Sequence, residues 1–294
     1  MTLEQLRIFV AVAERRHVTQ AARALHLAQS AASHAIAALE TRHDVKLFER
    51  IGRRVELTDA GEAFLGEARA VLARVERAAA VLGEFAALCR GRLAVQASQT
   101  IAGYWLPRHL AAFHRAYDKI DIRLTIGNTA QVAEAVDSGA AELGFVEGAV
   151  DNPQLVAEPV ARDRLVIVVS PDHPWNGRED LDFADLVESA WVMREAGSGT
   201  RSVFEAELRR AGIGEHELHV ALELPSNEAV RAAAEAGLGA AALSASVAAP
   251  SIEAGLLAQV RLALPDRKFY VLRHRDHFRS RAAEALLAVT ATAL

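Results

Sequence analysis

Between residues 59 and 88 the chain carries no proline, and its glycines fall only at 61, 66 and 83. Phe64, Ala68, Val71, Val75, Ala78, Leu82 and Phe85 recur at alternating intervals of four and three. That alternation is a heptad seam, so the segment reads as one long amphipathic helix whose stripe suits a second copy of itself. At a rise of about 1.5 Å per residue it makes a rod of about 45 Å. Packing against its own domain is the competing reading of the stripe, but a free-standing rod between two domains offers little else to bury it against. The rod separates a short front segment from a long rear one, and each is read by itself.

The front segment has three helical periods. Leu3, Leu6, Phe9, Val10 and Ala13 give an amphipathic helix over 3–15. Thr19 is placed to cap a second helix through its hydroxyl, with Ala21, Ala22 and Leu25 as the apolar face. His26-Leu27-Ala28 is a short turn, and a third helix over about 29–42 turns Ala32, Ala35, Ile36 and Leu39 inward. Two short helices joined by so few residues can place the second in a DNA major groove. The outward side chains at its start are Gln29, Ser30, Ser33 and His34, short donors and acceptors suited to base edges and phosphates. Any one of them taken alone reads as a solvated helix end. Val45–Arg50 and Ile51–Thr58 alternate around a glycine-containing turn and predict a hairpin, anchored by Leu47 and Phe48 and tipped by Arg53 and Arg54.

Charge follows the same division. Residues 1–60 hold nine basic and seven acidic residues, leaving 24 against 31 for the rest of a chain of net charge -5. Arg42, Lys46, Arg50, Arg53 and Arg54 fall close together. This is either a solvated basic surface or a module that touches phosphates at one end of an acidic body.

The pattern Leu6…Phe9…Ala21-Ala22…Leu25…Gln29-Ser30-Ala31-Ala32-Ser33…Ile36…Leu39-Glu40…Leu47-Phe48-Glu49-Arg50…Leu57-Thr58…Ala60-Gly61 resembles the DNA-binding domain of LysR-type transcriptional regulators almost end to end. Ala28 stands where that family often has a Ser or Thr cap, and His34 where a longer side chain is common. The DNA-facing set is then Thr19, Gln29, Ser30, Ser33 and His34, with Arg50, Arg53 and Arg54 from the hairpin.

The rear segment alternates strands and helices. Strands are expected at 92–97, 120–126 and 142–146, with helices near 102–117 and 130–138. A second set follows: strands at 164–169, 190–194, 218–224 and 239–243, and helices near 200–211 and 226–236. A strand near 267–274 and a helix near 280–292 return to the first lobe. This alternation predicts parallel sheets in two lobes, crossed at about 162 and 266 beside Pro159 and Pro265. Ligands of such sheets bind beyond the carboxyl ends of the strands. The residues there are Ser98, Gln99 and Thr100; Gly127, Asn128 and Thr129; Glu147 and Gly148; and Ser198, Gly199 and Thr200. Hydroxyls and helix N-termini converging from two lobes suit a small anion or carboxylate, although each Ser or Thr alone reads as a helix cap.

Arg194–Arg201, Leu124–Thr129 and Phe145–Gly148 resemble the LysR-family effector domain, itself similar to periplasmic binding proteins, and most nearly the branch of CysL-type and CbbR-type regulators. Ala196 replaces a proline common before the Gly-Ser-Gly-Thr. The resemblance implies an effector in the cleft, a homodimer or homotetramer on promoter DNA, and contact with RNA polymerase. The expected fold is therefore α/β. A winged helix-turn-helix spans 1–58 and a linker dimerisation helix 59–89. A two-lobed effector domain spans 90–294, with lobe I over about 90–161 and 267–294 and lobe II over about 162–266.

Other classes fit poorly. His17, His26, His34 and His43 are spaced nine, eight and nine apart, which gathers no ligands on one helix face, and His173, His274 and His277 lack a cysteine or carboxylate cluster. There is no Gly-x-Ser-x-Gly, phosphate-loop lysine or His-Glu-x-x-His, so no catalytic or metal residue and no cofactor is expected. The first residues do not read as a signal peptide and no window reads as a membrane span. A single cysteine, Cys89, suits a reducing cytoplasm and reads as a buried thiol rather than a redox sensor. A solute-binding or transferase-like α/β protein whose front segment merely packs is the alternative to a ligand-controlled transcriptional regulator.

Overall fold

The computed structural model describes residues 1–51, 54–86, 91–148 and 150–291. The chain divides into two compact units, one built on Met1–Leu88 and one holding nearly all of the remainder.

In the first unit, α1 (Leu3–Arg15) starts behind Thr2, whose hydroxyl accepts the Gln5 amide while the Gln5 side chain accepts the Thr2 amide. This reciprocal cap satisfies two amides that a helix start leaves unpaired. Ile8 and Val12 of α1 pack with Ala21 and Ala22 of α2 (Val18–Ala24) and with Ala32 and Ile36 of α3 (Gln29–His43). β1 (Phe48–Ile51) and β2 (Arg54–Leu57) form the expected antiparallel hairpin. Leu47 is buried, and the Phe48 ring lies 5.3 Å from that of Phe9, so both anchor it as predicted. The Thr58 hydroxyl donates to the Lys46 carbonyl and accepts the Gly61 amide at the start of α4 (Asp59–Ala86). A Cβ on Gly61 would lie 2.1 Å from the Leu47 carbonyl oxygen, so only glycine lets α4 begin this close to the hairpin.

Two expectations need correction here. Thr19 caps nothing: Arg16 in the left-handed conformation ends α1, His17 is extended, and α2 begins at Val18, before Thr19 is reached. The early part of the heptad seam also does have something to bury against. Ala68 is 1% exposed and the Phe64 ring lies 5.0 Å from Phe9, with Leu65 and Leu72 joining the same cluster. Val71 and Ala78 remain exposed, and the side chains of Leu82 and Phe85 lie outside the described residues.

In the second unit, β3 (Gly91–Ser98) leads through a π-helical turn (Ile101–Trp105) into α5 (Leu106–Ala116). β4 (Ile120–Gly127), α6 (Thr129–Ser138) and β5 (Leu143–Glu147) follow. β6 (Leu155–Val169) enters the second lobe, which contains β7 (Ala190–Arg194), α7 (Gly199–Arg210), β8 (His219–Leu224) and α8 (Asn227–Glu235). It continues with β9 (Ala241–Ser244), α9 (Ala245–Glu253) and β10 (Ala258–Gln259). β11 (Asp266–His274) and α10 (Arg281–Ala291) return to the first lobe. Trp105, Phe113, Phe145 and Phe269 fill the first lobe, and Trp175, Trp191 and Phe204 the second.

β3 pairs parallel with β4 and β5, and β7 with β8, as expected. β11, β6, β9 and β10 pair antiparallel, so the sheets are mixed. The reason is that the chain passes between lobes along extended strands instead of helical crossovers. The crossing expected at about 162 is made inside a single strand: β6 runs unbroken through Pro159, pairs with β11 as far as Arg164, and from Leu165 pairs with β9 and β10. Proline has no amide to give the ladder, and the register shifts at Phe269/Tyr270, leaving Val160 as an extra residue beside it. Among the described residues no helix is long and apolar enough to cross a membrane.

Candidate nucleic-acid interface and ligand cleft

Ala28 takes the cap position of α3 without a side-chain bond, so the helix presents its first turn uncapped. Gln29, Ser30 and His34 are exposed and Ser33 is half-buried. The Gln29 amide nitrogen donates to the Ser33 hydroxyl at 3.2 Å, which holds the two polar groups together on one face. Thr19 is half-buried in the first turn of α2. Arg53 lies outside the described residues, as do the side chains of Arg50 and Arg54 on the hairpin strands.

The orientation of α3 is fixed by a residue that amphipathic spacing does not single out. Glu40 is buried, and its carboxylate accepts the Leu47 amide at 2.9 Å, the Phe48 amide at 3.2 Å and the Lys46 ammonium at 2.8 Å. Burial pushes this carboxyl up, but Lys46 and the two amides outweigh it and hold it below the ordinary glutamate value. Glu40→Ala is expected to destabilise this unit by about 2–3 kcal/mol, because a buried and a part-buried amide lose a charged acceptor. Because the folded-state value is the lower one, the stabilisation is complete above the ordinary glutamate value of 4.5 and is lost as pH falls below it. Hydrogen exchange of the α1–α3 amides in the intact chain, followed across that range, reads both effects.

At the strand ends of the second unit the predicted ligand residues come together, and they are bonded to the opposite lobe. Gln99 donates to the Pro225 carbonyl at 2.7 Å and accepts the Asn227 amide at 2.9 Å. The Asn227 side chain donates to the Thr100 hydroxyl at 3.0 Å and accepts from Arg194. Asn128 donates to Glu195 at 3.2 Å, and the Ala130 amide donates to the Gly197 carbonyl. The Thr129 hydroxyl donates to the Glu147 carbonyl at 3.0 Å, and Ser198 caps α7 by accepting the Arg201 amide. Ser98 is buried, with no partner for its hydroxyl among the described residues. Gly127 is buried, and Gly148 takes the left-handed conformation at φ +88°.

Three charged groups of the cleft escaped sequence reasoning. Arg194 holds Glu195 with two nitrogens, at 2.7 and 2.9 Å. Burial pushes the Glu195 carboxyl up, while Arg194 and Asn128 outweigh it and leave it lowered. Arg267 on β11 lies in register with Asp163 on β6, donates to it at 2.7 Å, and reaches the Thr200 hydroxyl at 3.0 Å. Asn227 was visible in principle: Ser226 caps α8 just as Ser198 caps α7, at another strand-to-helix turn. Arg267 carried no comparable signal, since its partner lies on a strand 104 residues earlier. The cleft thus mixes carboxylates and guanidiniums and is not a plain basic pocket.

Residues 86–294 match the family model described as LysR substrate binding domain, and residues 3–62 match that of the bacterial regulatory helix-turn-helix protein, lysR family. A probable RuBisCO transcriptional regulator of Cyanidioschyzon merolae is 32% identical over 287 residues, 96% of this chain and 95% of that protein. Full-length CbnR in complex with its target DNA is similar at TM-score 0.70 and 26% identity, covering 99% of each chain. The CcmR regulatory domain of Synechocystis PCC6803 in complex with 2-PG is similar at TM-score 0.63 and 26% identity, covering 69% of this chain and 97% of that one.

Proposed function

The chain belongs to the LysR family of DNA-binding transcriptional regulators with an effector-binding domain, and from that premise we propose that α3 reads promoter DNA while the cleft binds a small acid that controls the outcome. The observation that carries the first half is the exposed, uncapped start of α3 with Gln29, Ser30 and His34 outward. Binding of the intact chain to its own upstream DNA is expected to weaken steeply with salt, as phosphate contacts do, and to survive at salt where random DNA no longer competes.

For the cleft, the supporting geometry is the convergence of Thr100, Thr129, Thr200 and Asn227 at helix starts from both lobes, with Arg267 behind them. CcmR, which is similar over this region, was solved with 2-PG. Thr100→Ala and Thr200→Ala are each expected to raise the effector concentration for half-response by about tenfold or more, since each leaves a buried donor unpaired. Basal DNA binding should be unchanged, because both residues belong to the other compact unit. Variants that titrate like the parent would remove the cleft from the account.

A second copy is part of the same reading. β4 and β8 are edge strands, with Ile126, Val220 and Leu222 exposed along them, and an open groove beside β4 is lined by Leu110, His114, Ile122 and Leu124. Uncovered apolar edges invite pairing. Covered by a second copy, together with the exposed Val71 and Ala78 of α4, they support a homodimer or homotetramer acting in the cytoplasm. Such an assembly reads an inverted-repeat site and signals to RNA polymerase through altered DNA bending.

A further inference from the structure

We propose that Glu147 makes the cleft selective for small acids that also carry a hydrogen-bond donor, a hydroxy or amino acid instead of a bare anion. The proposal rests on the cleft being the effector site.

Glu147 ends β5 and is 2% exposed. The first turn of α7, from the other lobe, presses directly on it: a Cβ on Gly199 would lie 2.0 Å from the Glu147 carbonyl oxygen and 2.8 Å from its Cγ. The Thr200 hydroxyl has one proton to give. Arg267 Nη1 donates to that hydroxyl at 3.0 Å, so its proton goes to Glu147 Oε1 at 3.3 Å. Oε2 is buried and has no partner among the described residues. Buried polar atoms are paired with few exceptions, and a carboxylate oxygen can be satisfied only by a donor. The neighbouring cations do not supply one. Arg194 is held by Glu195 and Asn227; Arg267 bonds Asp163 through Nε and Thr200 through Nη1, while its Nη2 lies 2.6 Å from Asp163 Oδ2 and makes no hydrogen bond among the described residues, to Glu147 or to any other. A bare anion at the start of α7 would meet the Glu147 carboxylate charge to charge. An acid bearing a hydroxyl or ammonium group places its anionic end at the helix start and its donor on Oε2.

The test is thermal-shift titration of the full chain with matched acids: lactate against propionate, malate against succinate, glycine against acetate. The expected result is stabilisation by donor-bearing members at concentrations at least tenfold below those of their matches. Glu147→Gln, which keeps the shape but turns Oε2 into a donor, should erase that preference. Equal stabilisation by both members of each pair, or an unchanged ranking in Glu147→Gln, overturns the assignment of Glu147 while leaving the cleft standing. Thr200→Ala, run beside it, reads the cleft itself. If it titrates like the parent with the same acids, or if no acid stabilises the parent, the effector site is elsewhere and both readings fall.

Discussion

Replacement of Arg267 by alanine is expected to cost the effector domain about 3–5 kcal/mol, the loss typical of a buried ion pair stripped of one partner. Arg267 and Asp163 stand opposite one another on β11 and β6, with side chains 3% and 5% exposed. Nε donates to Asp163 Oδ2 at 2.7 Å and Nη2 lies 2.6 Å from the same oxygen. Oδ1 accepts the Ser244 hydroxyl at 2.8 Å. Without the guanidinium, Asp163 keeps that single hydroxyl and remains a buried charge. Thr200 also loses its donor and with it the fixed direction of its own proton. The double variant Arg267→Met with Asp163→Asn removes both charges and should recover much of the loss, because the penalty arises from the unpaired survivor and not from the missing pair. Urea denaturation of the parent, the single and the double variant separates these outcomes. A single variant within about 1 kcal/mol of the parent would show that the pair is solvated in solution.

The other large effect is on recognition. Gln29→Ala combined with Ser33→Ala is expected to lower specific affinity by roughly a hundredfold or more, since each base contact of this kind contributes about 1–3 kcal/mol of discrimination. The two side chains are bonded to each other, so the double variant should not equal the sum of the singles. Neither residue belongs to the clusters around Ile8 or Phe9, so the melting temperature should hold. Salt-sensitive binding to random DNA should persist as well, because it depends on phosphate contacts. Footprinting on the upstream region reads the difference. An undisturbed footprint in the double variant would place recognition on another surface.

What could be read from the residues follows a physical line. Periodicity found α1, α3 and α4, because each turns regularly spaced apolar residues into the clusters around Ile8 and Phe9. The strand-to-helix turns exposed the cleft in the same way: Ser98–Thr100, Asn128-Thr129 and Ser198–Thr200 all sit where a strand gives out and a helix begins. Features went unread where the deciding partner is distant in sequence. Pro159 sits inside a strand because β11 is laid beside it with a bulge, and Arg267 gains its place in the cleft only from Asp163 opposite it. Glu40 belongs to the same class, since its three partners lie six to eight residues on, around a turn. The stripe on α4 misled differently. A heptad states that one face is covered but not by what, and here Phe64 and Ala68 are already taken by Phe9 and its neighbours. α9 offered almost no pattern: alanines and serines around Pro250 carry little periodicity, and its place is set by packing on β6 and β9.

The unbroken passage of β6 determines how this domain comes apart. Residues Leu155–Arg164 complete one sheet with β11, and Leu165–Val169 complete the other with β9 and β10. Neither lobe can melt alone without tearing a strand out of the survivor. Heating therefore meets one cooperative unit, with a single calorimetric peak.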